Sequence, residues 1–373
     1  MKHALALLLA VHGLIHLLGF VKGFGLAPVA ELARPVSRAA GALWLLAAVG
    51  FLAAAALLYL APGFAGPGRW WLAALPALVL SQALVVGAWS DARYGTVANA
   101  LVAVPLAVTL LQLAPWSLRA AFDRAVAGQP PPPAAGPGDA ITAADLERLP
   151  PPLRRYLERA GAVGRPHVRG FEARLTGRFR TGPGAPWLEI QAEQRTTLQP
   201  PSRRFFMTAA RGGLPFHALH ALTPDGATMR VRVAGLVDVV DARGPELDRS
   251  EAVTFFNDLC LLAPATLVDA PVRWEALDAR TVRGAFTLGR HEVAAVLTFD
   301  EAGDLAGFVS EDRLMSGDGG RFERHPWSTP VRAYADTEAG RVARLAEAAW
   351  RLPAGEYTYA SFVVERVRAE PAR

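Results

Sequence analysis

The sequence of 373 residues has one cysteine, few lysines and little charge, and each scarcity excludes a class of protein. A single cysteine, Cys260, rules out an intrachain disulfide and any zinc site built from several cysteines. Lysine occurs only at Lys2 and Lys22, and no basic stripe follows, which argues against a nucleic-acid-binding protein. Charged residues make up 20% of the chain and hydrophobic residues 52%, an excess that a single soluble domain would not easily bury.

The hydrophobic excess is concentrated in the first third of the chain. Residues 1–128 hold eight basic and three acidic side chains, which is the whole net charge of +5, and residues 129–373 are balanced. Four uncharged apolar stretches occur in the first part, at about 3–21, 39–61, 70–89 and 96–115. Each has close to the ~20 residues that an α-helix needs to cross a bilayer. The sequence therefore predicts a four-helix transmembrane domain over residues 1–128, with the lipid bilayer as its partner.

The first apolar stretch follows Lys2, as the apolar part of a signal peptide would. However, two histidines interrupt it and no Ala-x-Ala cleavage pattern follows, so we expect it to remain as a helix. The basic residues that flank the four stretches divide equally between the two sides of the membrane. Three of them follow the first stretch and one precedes it, which favours an outside amino terminus and an extracytoplasmic soluble domain.

His12 and His16 lie four residues apart in the first stretch and therefore project from one face of its helix. Such a pair is compatible with a metal, haem or quinone site inside the bundle. It is also compatible with hydrogen bonds to polar residues of the later stretches: Gln82, Asn99, Thr109 and Gln112. Because no third ligand accompanies the pair, hydrogen bonding is favoured and no cofactor is assigned. A redox or metal-linked membrane protein that uses His12 and His16 is the alternative function.

The run QPPPPAAGPG at 129–138 predicts an extended, proline-rich linker before a soluble domain over 139–373. Thr142 and Asp145 open a short helix, and a second helix is expected over about 153–160. From residue 168 onward, apolar and polar residues alternate, which is typical of antiparallel strands with one covered face. The alternation is clearest at 171–179, 188–194, 282–288, 293–299 and 357–363. Turns at 225–226 and 301–303 join further strands to these.

One helix interrupts the strands. Asp248 and Glu251 match a D-x-x-E capping box at its start, and Pro264 ends it. Its apolar face carries Val253, Phe256, Leu259 and Cys260, and we expect Cys260 to be buried there. The predicted fold is therefore multi-domain: an α-helical four-span transmembrane bundle, followed by an α+β soluble domain. In that domain a curved antiparallel sheet, a half-barrel, packs against the helix.

A half-barrel with a helix on its concave side can hold an apolar ligand. The candidate ligand-binding residues are large apolar side chains: Phe256, Leu259, Trp187 and Trp327. A polar cluster of uncertain role lies in the acidic stretch 238–258 and comprises Asp241, Arg243, Glu246 and Asp248. The spacing of these acids matches no calcium-binding loop, and His217 and His220 lack the glutamate of an H-E-x-x-H zinc motif. No G-x-S-x-G, Walker or G-x-G-x-x-G element occurs, so no catalytic residue is predicted.

Four segments of the soluble half resemble, in their order, a bacterial family of uncharacterised membrane-associated proteins: 149–161, 177–188, 241–248 and 321–334. The resemblance covers most of residues 145–368, and HGLIHLLGF with KGFGL in the first stretch is similar to a four-helix extension of some members. It implies no activity, cofactor or catalytic residue. In shape alone, the sheet resembles lipoprotein-carrier half-barrels and the helices resemble DoxX-like four-helix proteins.

The leading functional hypothesis is a multi-pass protein of a bacterial inner membrane whose half-barrel binds a lipid or another hydrophobic envelope ligand. This hypothesis is non-enzymatic, and it leaves the identity of the ligand and the oligomeric state open. A hydrolase that uses the acids of 238–258 is a third hypothesis, for which the sequence offers no substrate.

Overall fold

A computed structural model of the chain describes residues 2–129, 140–316 and 322–371. The predicted proline-rich linker, apart from Gln129, lies outside the described residues. The chain divides into two compact units: residues up to 120 together with 234–236 form the first, and the remainder forms the second. The boundary near residue 120 separates two parts of the chain that each pack mainly within themselves. The predicted domain boundaries at 128 and 139 rest on composition and stay a prediction.

The first unit is built from apolar helices. The helices at the start of the chain are α1 (Lys2–Gly23), α2 (Arg38–Leu60), α3 (Trp71–Gly87), α4 (Trp89–Ala92), α5 (Gly95–Leu113) and α6 (Leu118–Ala127). Three segments are long and apolar enough to cross a membrane: α1, α2 and Gly95–Ala127, which contains α5. The 17 residues of α3 extend about 25 Å at ~1.5 Å per residue, somewhat less than the ~30 Å of hydrocarbon. The described residues therefore hold three candidate spans and one shorter apolar helix, where the sequence predicts four spans.

Small residues allow α1 and α2 to approach closely. A Cβ atom placed on Gly19 would lie 2.4 Å from Cγ of Trp44, so a larger residue would collide with the indole ring. At Gly23 the same atom would lie 2.9 Å from Cα of Gly41, where the two backbones nearly touch. Close backbone approach through small residues is how helices associate when both surfaces are as apolar as lipid.

The second unit is dominated by one antiparallel sheet. Two short helices precede it, α7 (Ala143–Glu147) and α8 (Pro151–Arg159), and α7 begins at the predicted place, with a capping box of Thr142 and Asp145. The strands before the long helix are β1 (Val168–Phe179), β2 (Leu188–Leu198), β3 (Pro201–Arg211), β4 (Leu214–Thr223), β5 (Gly226–Val233) and β6 (Val237–Arg243). Those after it are β7 (Val272–Ala276), β8 (Thr281–Leu288), β9 (His291–Phe299), β10 (Leu305–Ser310), β11 (Leu314–Ser316), β12 (Phe322–Arg324), β13 (Trp327–Thr337), β14 (Gly340–Leu352) and β15 (Gly355–Pro371).

Thirteen strands form the large sheet, in the order β6-β5-β4-β3-β2-β1-β15-β14-β13-β10-β9-β8-β7, while β11 and β12 pair with each other. The last strand thus pairs with the first in the middle of the sheet, from Phe179 with Ala360 to Val168 with Pro371. The predicted hairpin turns at 225–226 and 301–303 are confirmed, since β4 pairs with β5 and β9 with β10.

The long helix α9 (Pro245–Leu262) shows that the sheet is strongly curved. It contacts β4, β5 and β6 near one end of the strand order and β9 and β10 near the other. In a flat sheet, β5 and β9 would lie about 40 Å apart at ~4.8 Å per strand, whereas α9 is only about 27 Å long. The sheet is therefore an open half-barrel that wraps around α9, and the predicted fold class is confirmed.

The start of α9 differs from the prediction. The helix begins at Pro245, after Gly244 with φ 125°, and no side chain caps it, so the predicted capping box of Asp248 and Glu251 is wrong. A glycine that adopts positive φ and a proline at the first helical position form a helix start of their own, because proline lacks the N–H that a cap would satisfy. Asp248 and Glu251 consequently lie inside the helix, where both are buried.

Candidate functional site

A buried ion-pair network joins α9 to strands β2, β3 and β4. The guanidinium of Arg203 on β3 donates to Asp258 Oδ2 at 2.6 Å and to Glu251 Oε2 at 3.1 Å. Gln194 on β2 donates to the same Asp258 oxygen at 2.8 Å, and His220 Nδ1 on β4 lies 3.0 Å from Glu251 Oε1. Both oxygens of Glu251 and one of Asp258 are thus engaged by partners on the sheet, which fixes the rotation of the helix within the half-barrel.

The environment of Glu251 favours its charged form. Burial alone would raise the pKa of this carboxyl group, but the charge of Arg203 and the hydrogen bond with His220 outweigh burial and lower the pKa to about 2. The buried network therefore carries an ionised Glu251 over the whole neutral range. Its geometry is that of a stabilising contact between helix and sheet, with both carboxylates paired to Arg203.

A second polar group surrounds Arg313, beside Thr254 of the same helix. Its guanidinium donates to Tyr359 Oη at 2.9 Å and to Thr254 Oγ1 at 3.2 Å, and it stacks on the Trp327 ring at 4.4 Å. The indole N–H of Trp327 donates to the same Tyr359 oxygen at 3.1 Å. The predicted ligand-binding residue Trp327 is therefore buried and held by a cation–π contact and a hydrogen bond.

A cavity of about 220 Å³ lies between α9, the β2–β3 turn and the β8–β9 turn. These turns belong to strands from opposite halves of the sheet, so the cavity occupies a gap that the curvature of the half-barrel leaves beside the helix. Its apolar walls come from Leu198, Pro201, Phe255, Leu259, Phe286 and Leu288. Its polar lining includes Arg169, Gln199, Asp269 and Thr287.

The two charged side chains at this cavity differ in their contacts. Asp269 Oδ2 lies 2.5 Å from His167 Nδ1, which is a short hydrogen bond. Arg169 is half-buried, and its Nε atom is fully buried without a hydrogen-bond partner in the described part of the chain. Apolar walls with a few polar groups are the usual composition of a small-molecule site.

The structure distributes the four predicted ligand-binding residues over different places. Leu259 lines the cavity. Phe256 is fully buried in an aromatic stack, with ring centroids 5.0 Å from Phe286 and 5.4 Å from Phe308. Trp187 is partly exposed and lies under two guanidinium groups, those of Arg178 and Arg180, at 4.7 and 4.6 Å. Phe256, Trp187 and Trp327 are not among the residues that line the cavity.

Sequence reasoning missed most of the cavity because its walls come from separate segments. Phe286 belongs to the inward-facing set of the alternating pattern in β8, which was a usable signal. Leu198 and Leu288 are the last residues of their strands, and only the curvature of the sheet brings these two strand ends to the same cavity. Nothing in the local sequence around Arg169 indicates that it belongs to this wall.

The predicted polar cluster is not one cluster. Asp241 and Arg243 form an exposed pair on the edge strand β6, at 3.3 Å, and Glu246 is exposed in the first turn of α9. Asp248 is buried instead: its Oδ1 accepts from the backbone N–H of Ala227 at 2.6 Å and its Oδ2 from Arg290 at 2.9 Å. The four residues therefore do not share a site.

His12 and His16 take part in a hydrogen-bonded network between α1, α3 and α5. His12 Nε2 lies 2.8 Å from Asn99 Oδ1, and His16 Nε2 lies 2.8 Å from Ser81 Oγ. Ser81 donates to Asn99 Oδ1 at 2.9 Å, and Asn99 donates to Gln82 Oε1 at 2.9 Å. Within residues 2–129, 140–316 and 322–371, no group of three His, Cys, Asp or Glu side chains could hold a metal ion. The observed contacts of the pair are thus interhelical hydrogen bonds, and its predicted metal role has no third ligand among those residues.

The fold is an apolar helical region followed by an open antiparallel half-barrel that encloses one long helix. The model of a family of unknown function, DUF6544, matches residues 139–362, more than half of the chain, so the protein belongs to that family. No curated protein matches the sequence at a significant level.

Two solved structures are similar to this chain over most of their own length. One, described as an outer membrane lipoprotein-sorting protein domain from Vibrio parahaemolyticus, is 11% identical and covers 58% of this chain and 92% of its own, with a TM-score of 0.34. The other, a DUF1329 family protein from Desulfovibrio piger, is 8% identical and covers 62% of this chain and 94% of its own, with a TM-score of 0.33. Similarity at this level transfers neither ligand nor activity.

Proposed function

We propose that this protein is a membrane-anchored binding protein whose half-barrel holds an apolar ligand, the acyl chain of a lipid, beside α9. The observation that carries the proposal is the cavity of about 220 Å³ with its walls of leucine, phenylalanine and proline. The apolar walls of the cavity lack partner atoms on one side, and an acyl chain would supply those contacts and remove its own surface from water.

The size of the cavity sets the length of the bound segment. The cavity of about 220 Å³ has room for part of an acyl chain and not for a whole lipid. It is smaller than the ~300–1,000 Å³ of typical ligand pockets. The ligand is therefore a single acyl segment of medium length, with the remainder of any larger lipid outside the cavity.

The apolar helices supply the second part of the proposal. Three segments are long enough to cross a membrane, and they would hold the half-barrel where acyl ligands are abundant. We infer a multi-pass protein of a bacterial inner membrane in which α3 completes a fourth span over 70–89. The half-barrel then lies on the extracytoplasmic side, as the basic residues around α1 favour, and a carboxyl-terminal reporter fusion would read that side directly.

The experiment is native mass spectrometry of the full-length protein, extracted from membranes in a mild detergent. Wild-type protein is expected to retain one molecule with the mass of an acyl lipid or fatty acid. Leu288→Trp places an indole in the cavity from a half-buried strand end and should lower the occupied fraction at least fivefold. Leu214→Trp, at a position 52% exposed on β4, adds the same side chain outside the cavity and should leave occupancy unchanged.

Lipids that adhere to the apolar helices are the same in both variants, so the difference between the variants reports on the cavity alone. Equal occupancy in wild type and Leu288→Trp would contradict the proposal, provided that both proteins show the same thermal unfolding midpoint. If the wild-type protein retains no ligand, decanoic acid is added to it as a probe. A wild-type protein that also takes up no decanoic acid would contradict the proposal as well.

A further inference from the structure

Arg169 occupies an unusual position in the wall of the cavity. It lies near the start of β1, where the pairing with β15 shifts register between Val168 and Gly170. Arg169 is therefore the extra residue of a β-bulge, a feature that redirects a side chain from the regular alternation of its strand. The redirected side chain lines the cavity together with Phe255 and Leu259 of α9.

The Arg169 side chain has an unpartnered hydrogen-bond donor. Its Nε atom is buried and makes no hydrogen bond with any residue that the structure describes. The other charged group of the cavity, Asp269, is bound to His167 at 2.5 Å. A half-buried guanidinium with an unpartnered donor is a suitable group for an anion that binds in the cavity, because a charge-assisted hydrogen bond would offset its desolvation.

We propose that the cavity is specific for an anionic amphiphile: the acyl chain fills the apolar part and a carboxylate or phosphate group binds the Arg169 guanidinium. This inference rests on the proposed acyl-binding function and adds the class of the headgroup. A guanidinium offers paired N–H donors whose spacing matches the oxygens of a carboxylate or a phosphate. A neutral lipid of the same chain length would fill the same walls and leave the Nε of Arg169 without a partner.

Arg174 offers a matched control on the same strand. It is five residues further along β1, it is paired with Glu193 at 3.1 Å, and its side chain is 55% exposed. Arg169→Gln and Arg174→Gln therefore remove the same charge from the same strand, once inside the cavity and once outside it. Arg169→Lys keeps the charge and loses the paired donors.

The test is native mass spectrometry of the full-length protein after removal of bound lipid, with an equimolar mixture of three ten-carbon probes. The probes are decanoic acid, decyl phosphate and 1-decanol. Wild-type protein is expected to bind at least one of the two anions about tenfold or more in preference to decanol, which is the effect of a charge-assisted hydrogen bond. Arg169→Gln should abolish that preference without weakening decanol binding, Arg169→Lys should keep part of it, and Arg174→Gln should keep all of it.

The outcomes separate the inference from the proposed function. Equal binding of all three probes to wild type, unchanged in Arg169→Gln, would overturn the headgroup assignment and leave acyl binding in place. Binding of none of the probes would overturn both. A preference for decanoic acid over decyl phosphate indicates a fatty acid, and the reverse indicates a phospholipid headgroup. If Arg174→Gln also abolishes the preference for anions, that preference arises from the overall charge of the protein, and the role of Arg169 is contradicted.

Discussion

At the scale of single residues, Glu251 shows how a charge is kept in the interior of the half-barrel. Its carboxylate is buried on α9, with Arg203 at 3.1 Å and His220 at 3.0 Å. Breaking such a pair by removing one partner costs about 3–5 kcal/mol, because the other charge is left buried and alone. This packing of helix against sheet therefore requires that the ion pair be complete. Compared with an apolar contact of the same shape, however, the ion pair adds little to the stability of the fold.

The depressed pKa of Glu251 predicts a defined dependence of stability on pH. Since the folded pKa is about 2 and the ordinary value is 4.5, this group contributes its full stabilisation above about pH 4.5. That contribution decreases as the pH falls from about 4.5 towards 2, where the folded protein also takes up the proton. The measurement is the unfolding midpoint of the β domain, followed by its amide I infrared band between pH 7 and pH 2.5.

The control variants for this prediction are two glutamine substitutions. Glu251→Gln is expected to be less stable at neutral pH and to lose less stability between pH 4.5 and 2.5 than the wild type. Glu301→Gln changes a side chain that is 90% exposed in a turn and should follow the wild-type curve. Identical pH profiles for wild type and Glu251→Gln would show that another group controls the acid transition.

At the scale of secondary-structure elements, Asp248 joins the two halves of the sheet at the beginning of α9. One carboxylate oxygen accepts a hydrogen bond from the backbone N–H of Ala227 on β5, and the other accepts a hydrogen bond from the Arg290 side chain in the β8–β9 turn. The strands concerned lie near opposite ends of the strand order. A single buried side chain therefore helps to set how far the half-barrel closes, and with it the width of the gap beside the helix.

Asp248→Ala is expected to destabilise this closure by about 1–3 kcal/mol, because a buried N–H loses its acceptor. Hydrogen exchange should accelerate in β5 near Ala227 and in the β8–β9 turn, and remain unchanged in the middle of the sheet around β1 and β15. Arg290→Ala should have less than about 1 kcal/mol of effect, since the Arg290 side chain is 75% exposed. Exchange that accelerates uniformly across the sheet would contradict a local role for Asp248.

The elements differ in how far the sequence determines them. Strands β1, β2, β8 and β9 have one covered and one wetted face, so their alternation identifies them. Strand β3 has adjacent buried residues, Phe205 and Phe206, and β13 and β14 pair with register shifts, which removes the period of two. The capping-box prediction failed because Gly244 and Pro245 start α9 four residues earlier.

The candidate site was less predictable than the strands. Leu259 follows from the apolar face of α9, and Cys260 is buried as expected. Arg169 and Leu198 could not be assigned, because only the curvature of a thirteen-stranded sheet brings their segments to one cavity. The three-dimensional closure of the sheet, which no local pattern records, decides which side chains line the site.

At the scale of the whole molecule, charge is distributed unevenly along the chain. The apolar helices hold the net charge of +5 at their flanks, and the half-barrel that follows has equal numbers of acidic and basic residues. In our proposal, this balanced β domain binds an anionic acyl ligand beside Arg169, and the membrane-length helices keep the domain near a bilayer.

The measurement that tests this account most directly is photolabelling of the full-length protein in membranes with a diazirine-bearing fatty acid, followed by peptide mapping. Because the reactive group sits in the acyl chain, the label reports where that chain lies. The account predicts label on peptides that contain residues 198–201, 255–259 and 286–289, reduced by excess decanoic acid and by Leu288→Trp. Label confined to the apolar helices, or label on the half-barrel that Leu288→Trp leaves unchanged, would contradict it.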